Sequence, residues 1–484
     1  MVQRHYADPD AARIGLLLRW SICATVVGVS LLVFPCSGQS SPPNILLLVS
    51  DDQRLDTIHA LGNEIIQTPN WDRLVAEGTT FTRAITAMPL CVASRAELLT
   101  GRDGLMNGKQ DFGLTPKPDV PHLATTLQTH GYETCYVGKW HTVGRPSDSG
   151  YTQTIGLYAA GGGRFPLMSP VDWKGMPVTG YRGWIFQSDD GTLFPEKGVG
   201  LTPDISETFA DAAIEFLQQK HERPFLLHVN FTAPHDPLFF PRGYEQVYTP
   251  DAMPLPANFA QEHPFDHGNA RGRDELLFDF PRTPEQTRAA LAVYYAVLSH
   301  LDEEVGRILD VLDEQLLSSQ TIVIYTSDHG LAIGSHGLRG KQNMYEHTIG
   351  VPLIFRGPTI ESGRTTTAQC YLRDLYATIC DLVDIEIPAT VHGRSLKPIL
   401  RGETDQIHDA VFAHFLDRQR MIRTDEWKYI SYPQVGRDQL FQLSGDPDEL
   451  NDLADIPDHT EVKVELSCRL DRWRSDRNDP TFGK

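Results

Sequence analysis

The chain reads as an α/β protein: a large, mostly parallel (mixed) sheet between helices, with a smaller antiparallel-sheet subdomain at the C-terminal end. Three observations carry that expectation. Short, wholly apolar runs end abruptly in polar residues, amphipathic helical patterns separate them, and after residue 402 the texture changes to closely spaced short strands. A run that is apolar at every position suits a strand covered on both faces, as parallel strands between helices are.

The N-terminus reads as an export signal over residues 1–38. Arg4, Arg13 and Arg19 precede an apolar stretch over residues 20–34, and Pro35-Cys36-Ser37-Gly38 offers small residues for cleavage. The apolar stretch falls short of the roughly 20 residues that a spanning helix requires, so no stable membrane span is expected. Cys36 would suit lipid attachment, but Phe34 and Pro35 stand where small residues are expected. The mature chain is expected to begin near Gln39 and to work in the periplasm or outside the cell.

Four strand candidates follow, each running into polar residues. Residues 45–49 lead to Ser50-Asp51-Asp52-Gln53, and residues 132–137 lead to Gly138-Lys139-Trp140-His141. Residues 225–231 lead to Ala233-Pro234-His235-Asp236, and residues 322–325 to Ser327-Asp328-His329-Gly330. In open α/β sheets ligands gather at the carboxyl ends of the strands. The recurrence of Asp, His and Lys at those ends therefore points to one shared site.

Helices lie between the strands. Residues 93–100 form a short helical pattern stopped by Gly101, a favoured helix-terminating residue. Cys91 then sits near a helix N-terminus, where free N–H groups favour an anion. Arg95 lies about one turn on and can face the same point. Residues 205–217 are amphipathic. Thr283-Pro284-Glu285-Gln286 has an N-cap threonine, proline at the first helical position and Gln at the third. The helix it opens carries Leu291, Tyr294, Leu298, Leu301, Val305, Ile308 and Leu312 on one stripe. Residues 150–200, rich in Gly, Pro and aromatics, read as long loops over the sheet edge. Beyond residue 402, residues 410–415, 419–424, 427–432 and 439–443 read as an antiparallel sheet. This gives a large domain over 39–402 and a C-terminal subdomain over 403–484.

The 484 residues carry a net charge of −20, which disfavours non-specific nucleic-acid binding. An anionic substrate would need a locally basic pocket. The seven cysteines (23, 36, 91, 135, 370, 380 and 468) show no CxxC or zinc-ribbon spacing. A Cys370–Cys380 disulfide has no support beyond proximity in sequence.

The segment Cys91-Val92-Ala93-Ser94-Arg95-Ala96-Glu97-Leu98-Leu99-Thr100-Gly101-Arg102 resembles the sulfatase signature, C-x-[P/A]-S-R followed by x-x-L-x-T-G-R. The likeness to type I, formylglycine-dependent sulfatases (arylsulfatase and iduronate-2-sulfatase-like) extends in order from Asn44 to about Ala454, ending on Asp446-Pro447-Asp448-Glu449-Leu450-Asn451-Asp452-Leu453, which resembles that family's "DPxExxNLA" turn. It implies the alkaline-phosphatase-like fold, hydrolysis of sulfate esters, and conversion of Cys91 to formylglycine, whose hydrate is the nucleophile. It further implies a metal site of Asp51, Asp52, Cys91, Asp328 and His329. Three carboxylates suit Ca²⁺ or Mg²⁺; histidine also suits zinc, and the resemblance points to one Ca²⁺ per chain.

By the same resemblance Lys139 and Lys341 would bind the sulfuryl group and Arg95 would hold the nucleophile. His235 would protonate the leaving alcohol, and His141 would take the proton that releases sulfate. Ala93 stands where proline is commoner, which implies a bacterial source and a radical, iron–sulfur maturase as transient partner. The expected substrate is a sulfated carbohydrate. Two rivals are a phosphonate or phosphate ester hydrolase of the same fold and an inactive, sulfatase-derived binding protein.

Overall fold

The computed structural model describes residues 42–107 and 120–483. The expected export signal, with Cys23 and Cys36, lies outside the described residues. The strands in chain order are β1 (Asn44–Ser50), β2 (Thr79–Phe81), β3 (Ala84–Ile85), β4 (Glu133–Lys139) and β5 (Gln153–Ala160). They continue with β6 (Trp184–Phe186), β7 (Phe225–Asn230), β8 (Thr321–Ser327), β9 (Leu353–Arg356), β10 (Arg364–Thr366) and β11 (Cys370–Tyr371). The last four are β12 (Val411–Phe415), β13 (Gln419–Arg423), β14 (Trp427–Tyr432) and β15 (Arg437–Gln442).

Nine strands form one sheet in the order β10-β2-β9-β8-β1-β7-β4-β5-β6. Its centre, β8-β1-β7-β4-β5, is parallel. The antiparallel pairs β8–β9, β2–β9 and β5–β6 lie towards the two sides. Residue alternation along β1 shows why this strand is apolar throughout. Leu46 and Leu48 enter a core shared with the helices Ile205–Leu217 and Pro284–Glu314. Ile45, Leu47 and Val49 enter a second core with the helices Leu123–Thr129 and Asp374–Leu382. Each buried Leu or Ile contributes roughly 1.5–3 kcal/mol.

The helix Pro284–Glu314 follows its sequence pattern. The Thr283 hydroxyl accepts from the Gln286 N–H at 3.2 Å, and the predicted stripe from Leu291 to Leu312 is buried. Its Tyr294 hydroxyl donates to the Asp52 carbonyl at 2.6 Å, so the helix also braces the end of β1.

One expectation is corrected. Residues 150–200 are not all loop, because β5 and β6 lie within them and complete one side of the sheet. Gly156 has a positive φ of 60°, and the β4–β5 register shifts between Val137 and Gly138. The bulge breaks the alternation by which a strand is recognised in sequence. Gly138 itself is required: its φ is +88°, and a Cβ there would lie 2.0 Å from the Asn230 carbonyl oxygen.

The small sheet β12-β13-β14-β15 is antiparallel in chain order. The helix Thr460–Asp476 packs on it through Leu466, Leu470 and Trp473. Three inward residues in seventeen make too narrow a stripe to stand out in sequence. Cys370 and Cys380 are free thiols. Among the described residues no helix is long and apolar enough to cross a membrane.

Candidate active site

Four neighbouring parallel strands, β8, β1, β7 and β4, deliver the site from their carboxyl ends. Asp328 and His329 follow β8, and Asp51 and Asp52 follow β1. Asn230 ends β7, five residues before His235; Lys139 ends β4, two residues before His141. Asp52 adopts a left-handed backbone, φ 70°, a conformation that aspartate tolerates better than most side chains. Its N–H donates to Asp328 Oδ1 at 3.2 Å, which with the Tyr294 contact fixes this turn.

Cys91 is the first residue of the helix Cys91–Thr100, and Gly101 ends that helix with φ 64°. The Ser94 hydroxyl donates to the Asp328 carbonyl at 2.7 Å, pinning the helix against the end of β8. Around the buried Cys91 sulfur stand Asp51 Oδ1 at 3.4 Å, His329 Nε2 at 3.2 Å and Lys341 Nζ at 3.3 Å. Lys341 also contacts Asp52 at 2.8 and 3.0 Å. It comes from a loop whose Arg339 and Gly340 N–H groups donate to the buried Glu275 carboxylate at 2.8 Å. Lys139 pairs with Asp51 Oδ2. His141 lies beside Cys91 and packs edge-on to Trp184, with ring centroids 5.1 Å apart.

His235 has Nδ1 2.6 Å from the Asp236 carbonyl oxygen and Nε2 4.0 Å from Asp52 Oδ2. Arg95, expected to hold the nucleophile, makes its contacts with the frame around it. It reaches Asp328 Oδ2 at 3.1 Å and Asp51 Oδ2 at 3.7 Å, and it donates to Asn230 Oδ1. All ten predicted site residues are thus drawn into one cluster. His59, His336 and His347 make no contact with it that would give them a chemical role; His336 stacks on Tyr345 at 3.9 Å.

Three further residues were not foreseen. Asn230 had a signal, being a polar residue closing an apolar strand. Tyr181 donates its hydroxyl to Asp51 Oδ2 at 2.9 Å from a Gly- and Pro-rich stretch that gave none. Asp236 pairs with Arg273, and the Arg339 guanidinium lies 3.6 Å away. Its adjacency to His235 was visible, but not its ion pairs.

The electrostatics follow from crowding in a dry space. Burial works to raise the Cys91 thiol, yet Lys139, Lys341 and His329 outweigh it and hold the thiol well below its ordinary value. Asp51 is likewise lowered against burial, chiefly by Lys139 and His235. Burial raises Asp328 to about 7, helped by the negative charge of Asp51. His235 is raised despite burial because Asp52 faces it.

Ligand atoms of Asp51, Asp52, Cys91 and His329 all lie within 4.8 Å of one another. Asp328 borders this set, its Oδ1 accepting from the Asp52 and His329 N–H groups. So much anionic charge around one point fits a hard divalent cation.

A family model described as Sulfatase matches residues 43–385, and one described as N-sulphoglucosamine sulphohydrolase, C-terminal, matches residues 334–476. The chain is 28% identical to an arylsulfatase of Clostridium perfringens, over 87% of this chain and 92% of that one. It is 26% identical to an N-acetylglucosamine-6-O-sulfatase of Bacteroides thetaiotaomicron, covering 92% and 88%. Among solved structures it is similar to one in complex with its substrate D-glucosamine-2-N,6-O-disulfate, with TM-score 0.73 and 24% identity over 92% of this chain and 100% of that one. It is also similar to the phosphonate monoester hydrolase of Agrobacterium radiobacter, with TM-score 0.71 and 23% identity over 90% and 96%. At these identities the solved structures establish the fold.

Proposed function

Because the chain belongs to the sulfatase family and is a sulfuric ester hydrolase, we propose that it removes sulfate from a sulfated carbohydrate, using Cys91 in its formylglycine form and one Ca²⁺. The observation that carries this reading is the setting of Cys91: a buried thiol at a helix N-terminus, ringed by Asp51, His329 and Lys341. Formylglycine supplies a hydrated aldehyde as nucleophile, and Ca²⁺, for which Asp51, Asp52, Asp328 and His329 are the fitting ligands, supplies Lewis acidity.

The remaining side chains divide the work by position. Lys139 and Lys341 offer two ammonium groups to the non-bridging sulfuryl oxygens, in a water-poor site where such charges act strongly on a transition state. Arg95 holds Asp51, Asp328 and Asn230 in register. The Nδ1 of His235 is committed to the Asp236 carbonyl, which leaves Nε2 to give a proton to the departing alkoxide. His141, on the Trp184 side of Cys91, is placed to take the proton that accompanies sulfate release.

A sugar substrate is supported by the N-acetylglucosamine-6-O-sulfatase relative and by the disulfated glucosamine bound to the solved neighbour. The N-terminal pattern supports export to the periplasm or beyond, and Ala93 supports maturation by a radical enzyme. Likeness to a phosphonate hydrolase makes an aryl phosphonate the informative control substrate. The direct test is mass spectrometry of the peptide containing Cys91 from active enzyme. It should carry an aldehyde that a hydrazide labels; full activity with only unmodified cysteine would end the proposal.

A further inference from the structure

A cavity of about 280 Å³ opens onto Cys91, His141, His235 and Lys341, and its far wall is built by the loop around Asn269–Asp274 and the turn between β12 and β13. That volume lies at the lower edge of the roughly 300–1,000 Å³ typical of small-molecule pockets, enough for a sugar ring. The wall is ordered by a relay of hydrogen bonds. Asn269 Nδ2 donates to Gln342 Oε1 at 3.1 Å, and Gln342 Nε2 donates to Asp274 Oδ2 at 3.0 Å. Arg273 spans Asp274, at 2.7 Å, and Asp236.

Two of the three cations lining this cavity are neutralised in place, Lys341 by Asp52 and Arg273 by Asp236 and Asp274. Arg418 is different. Among the described residues its guanidinium meets only a backbone carbonyl, that of Gly268, and no carboxylate lies within ion-pair distance. It is nevertheless held in place. Gly268 has φ +90°, and a Cβ there would lie 3.1–3.3 Å from the Cβ, Cγ and Cδ atoms of Arg418, so the glycine makes room for the arginine stem. The neighbouring Gln419 donates to the carbonyls of His267 and Gln342 at 3.0 and 3.1 Å, locking the turn to the cavity wall. In a chain of net charge −20, an ordered guanidinium that lines the cavity without a carboxylate partner among the described residues is a ready anion receptor.

We propose that Arg418 reads a second anionic group, a carboxylate or a further sulfate, on the same sugar ring that carries the scissile sulfate. The inference rests on the sulfate-ester reading above and adds the substrate class: a sugar ring bearing at least two anions, one bound by the catalytic cations and one by the turn between β12 and β13.

The test measures kcat/KM of the mature, calcium-loaded enzyme on matched pairs. One pair is N-acetylglucosamine 6-sulfate and glucosamine 2-N,6-O-disulfate; the other is phenyl sulfate and the sulfates of 3- and 4-hydroxybenzoate. The first pair probes a second sulfate and the second a carboxylate. The wild type should favour the doubly anionic member of at least one pair. Arg418→Gln should cut that preference by about ten- to a hundredfold, the range for a hydrogen bond to a charged group, and Arg418→Lys should restore part of it. A wild type without preference in either pair overturns the inference. So does an Arg418→Gln variant, confirmed as folded by its melting temperature, that loses both members equally, since that marks a structural role. Absence of turnover on every sulfate ester would instead overturn the functional reading beneath it.

Discussion

At His235 the geometry bears on the proposed proton transfer. Its Nδ1 is taken up by the Asp236 carbonyl at 2.6 Å, and Asp52 raises its pKa although burial opposes it, so Nε2 can carry a proton to a leaving group. Poor leaving groups such as sugar alcohols depend on that proton, whereas activated aryl sulfates depart without it. His235→Ala should therefore lower kcat on a sulfated sugar by about 10²–10⁴-fold, the usual reach of general acid catalysis. Its effect on 4-nitrophenyl sulfate should be much smaller. Equal losses on both would assign His235 to binding. The proposed cation is testable in the same way. Chelation should abolish turnover and Ca²⁺ should restore it, because the ligand atoms of Asp51, Asp52, Cys91 and His329 lie within 4.8 Å of one another and the carboxylate oxygens among them suit a hard cation; rescue by Zn²⁺ but not Ca²⁺ would reassign the ion.

At the scale of elements, the small sheet does more than cap the large one. Lys428, on β14, is fully buried and reaches Glu346 Oε1 and Glu449 Oε1, each at 2.7 Å, and the Met344 carbonyl at 3.0 Å. Arg423 on β13 adds a second contact to Glu346 at 2.7 Å. These bonds tie the small sheet to the segment that follows Lys341. Removing one partner of a buried ion cluster strands the others, at a cost of about 3–5 kcal/mol. Lys428→Met should therefore lower stability by that order in urea unfolding and loosen the Lys341 loop, raising KM before the fold is lost. A change below about 1 kcal/mol would show that Lys428 is dispensable.

For the whole molecule, acid resistance tests how dry the interior is. Among the described residues neither ring nitrogen of the buried His267 meets a hydrogen-bond partner, and burial pushes its pKa down to about 3, helped by His263. A base whose folded pKa lies below its unfolded value of about 6.5 leaves stability intact above that pH and withdraws it as pH falls towards the folded pKa. His267→Gln carries no such titration. Its stability relative to wild type should rise by about 1.4 kcal/mol for each pH unit between 6.5 and 4, read from urea midpoints at pH 7.5, 5.5 and 4.5. A constant difference across that range would mean that His267 is hydrated.

What the sequence determined by itself was whatever local pattern encodes. The apolar run of β1 requires a strand covered twice, Thr283-Pro284 starts a helix, and the segment from Cys91 to Arg102 carries the sulfatase signature. The polar residues closing β1, β4, β7 and β8 could be gathered into one site because parallel strands all end on the same side. The tertiary structure alone decided what depends on distant partners. The bulge at Gly138 and Gly156 hid β5. The helix Thr460–Asp476 shows only a narrow apolar stripe, and Tyr181 reaches Asp51 across 130 residues of sequence. Arg418 is ordinary in sequence; only its place beside Gly268, facing the cavity without a carboxylate partner, gives it a role. Burial and charge pairing are sums over neighbours that the chain brings together only by folding, so no local pattern contains them.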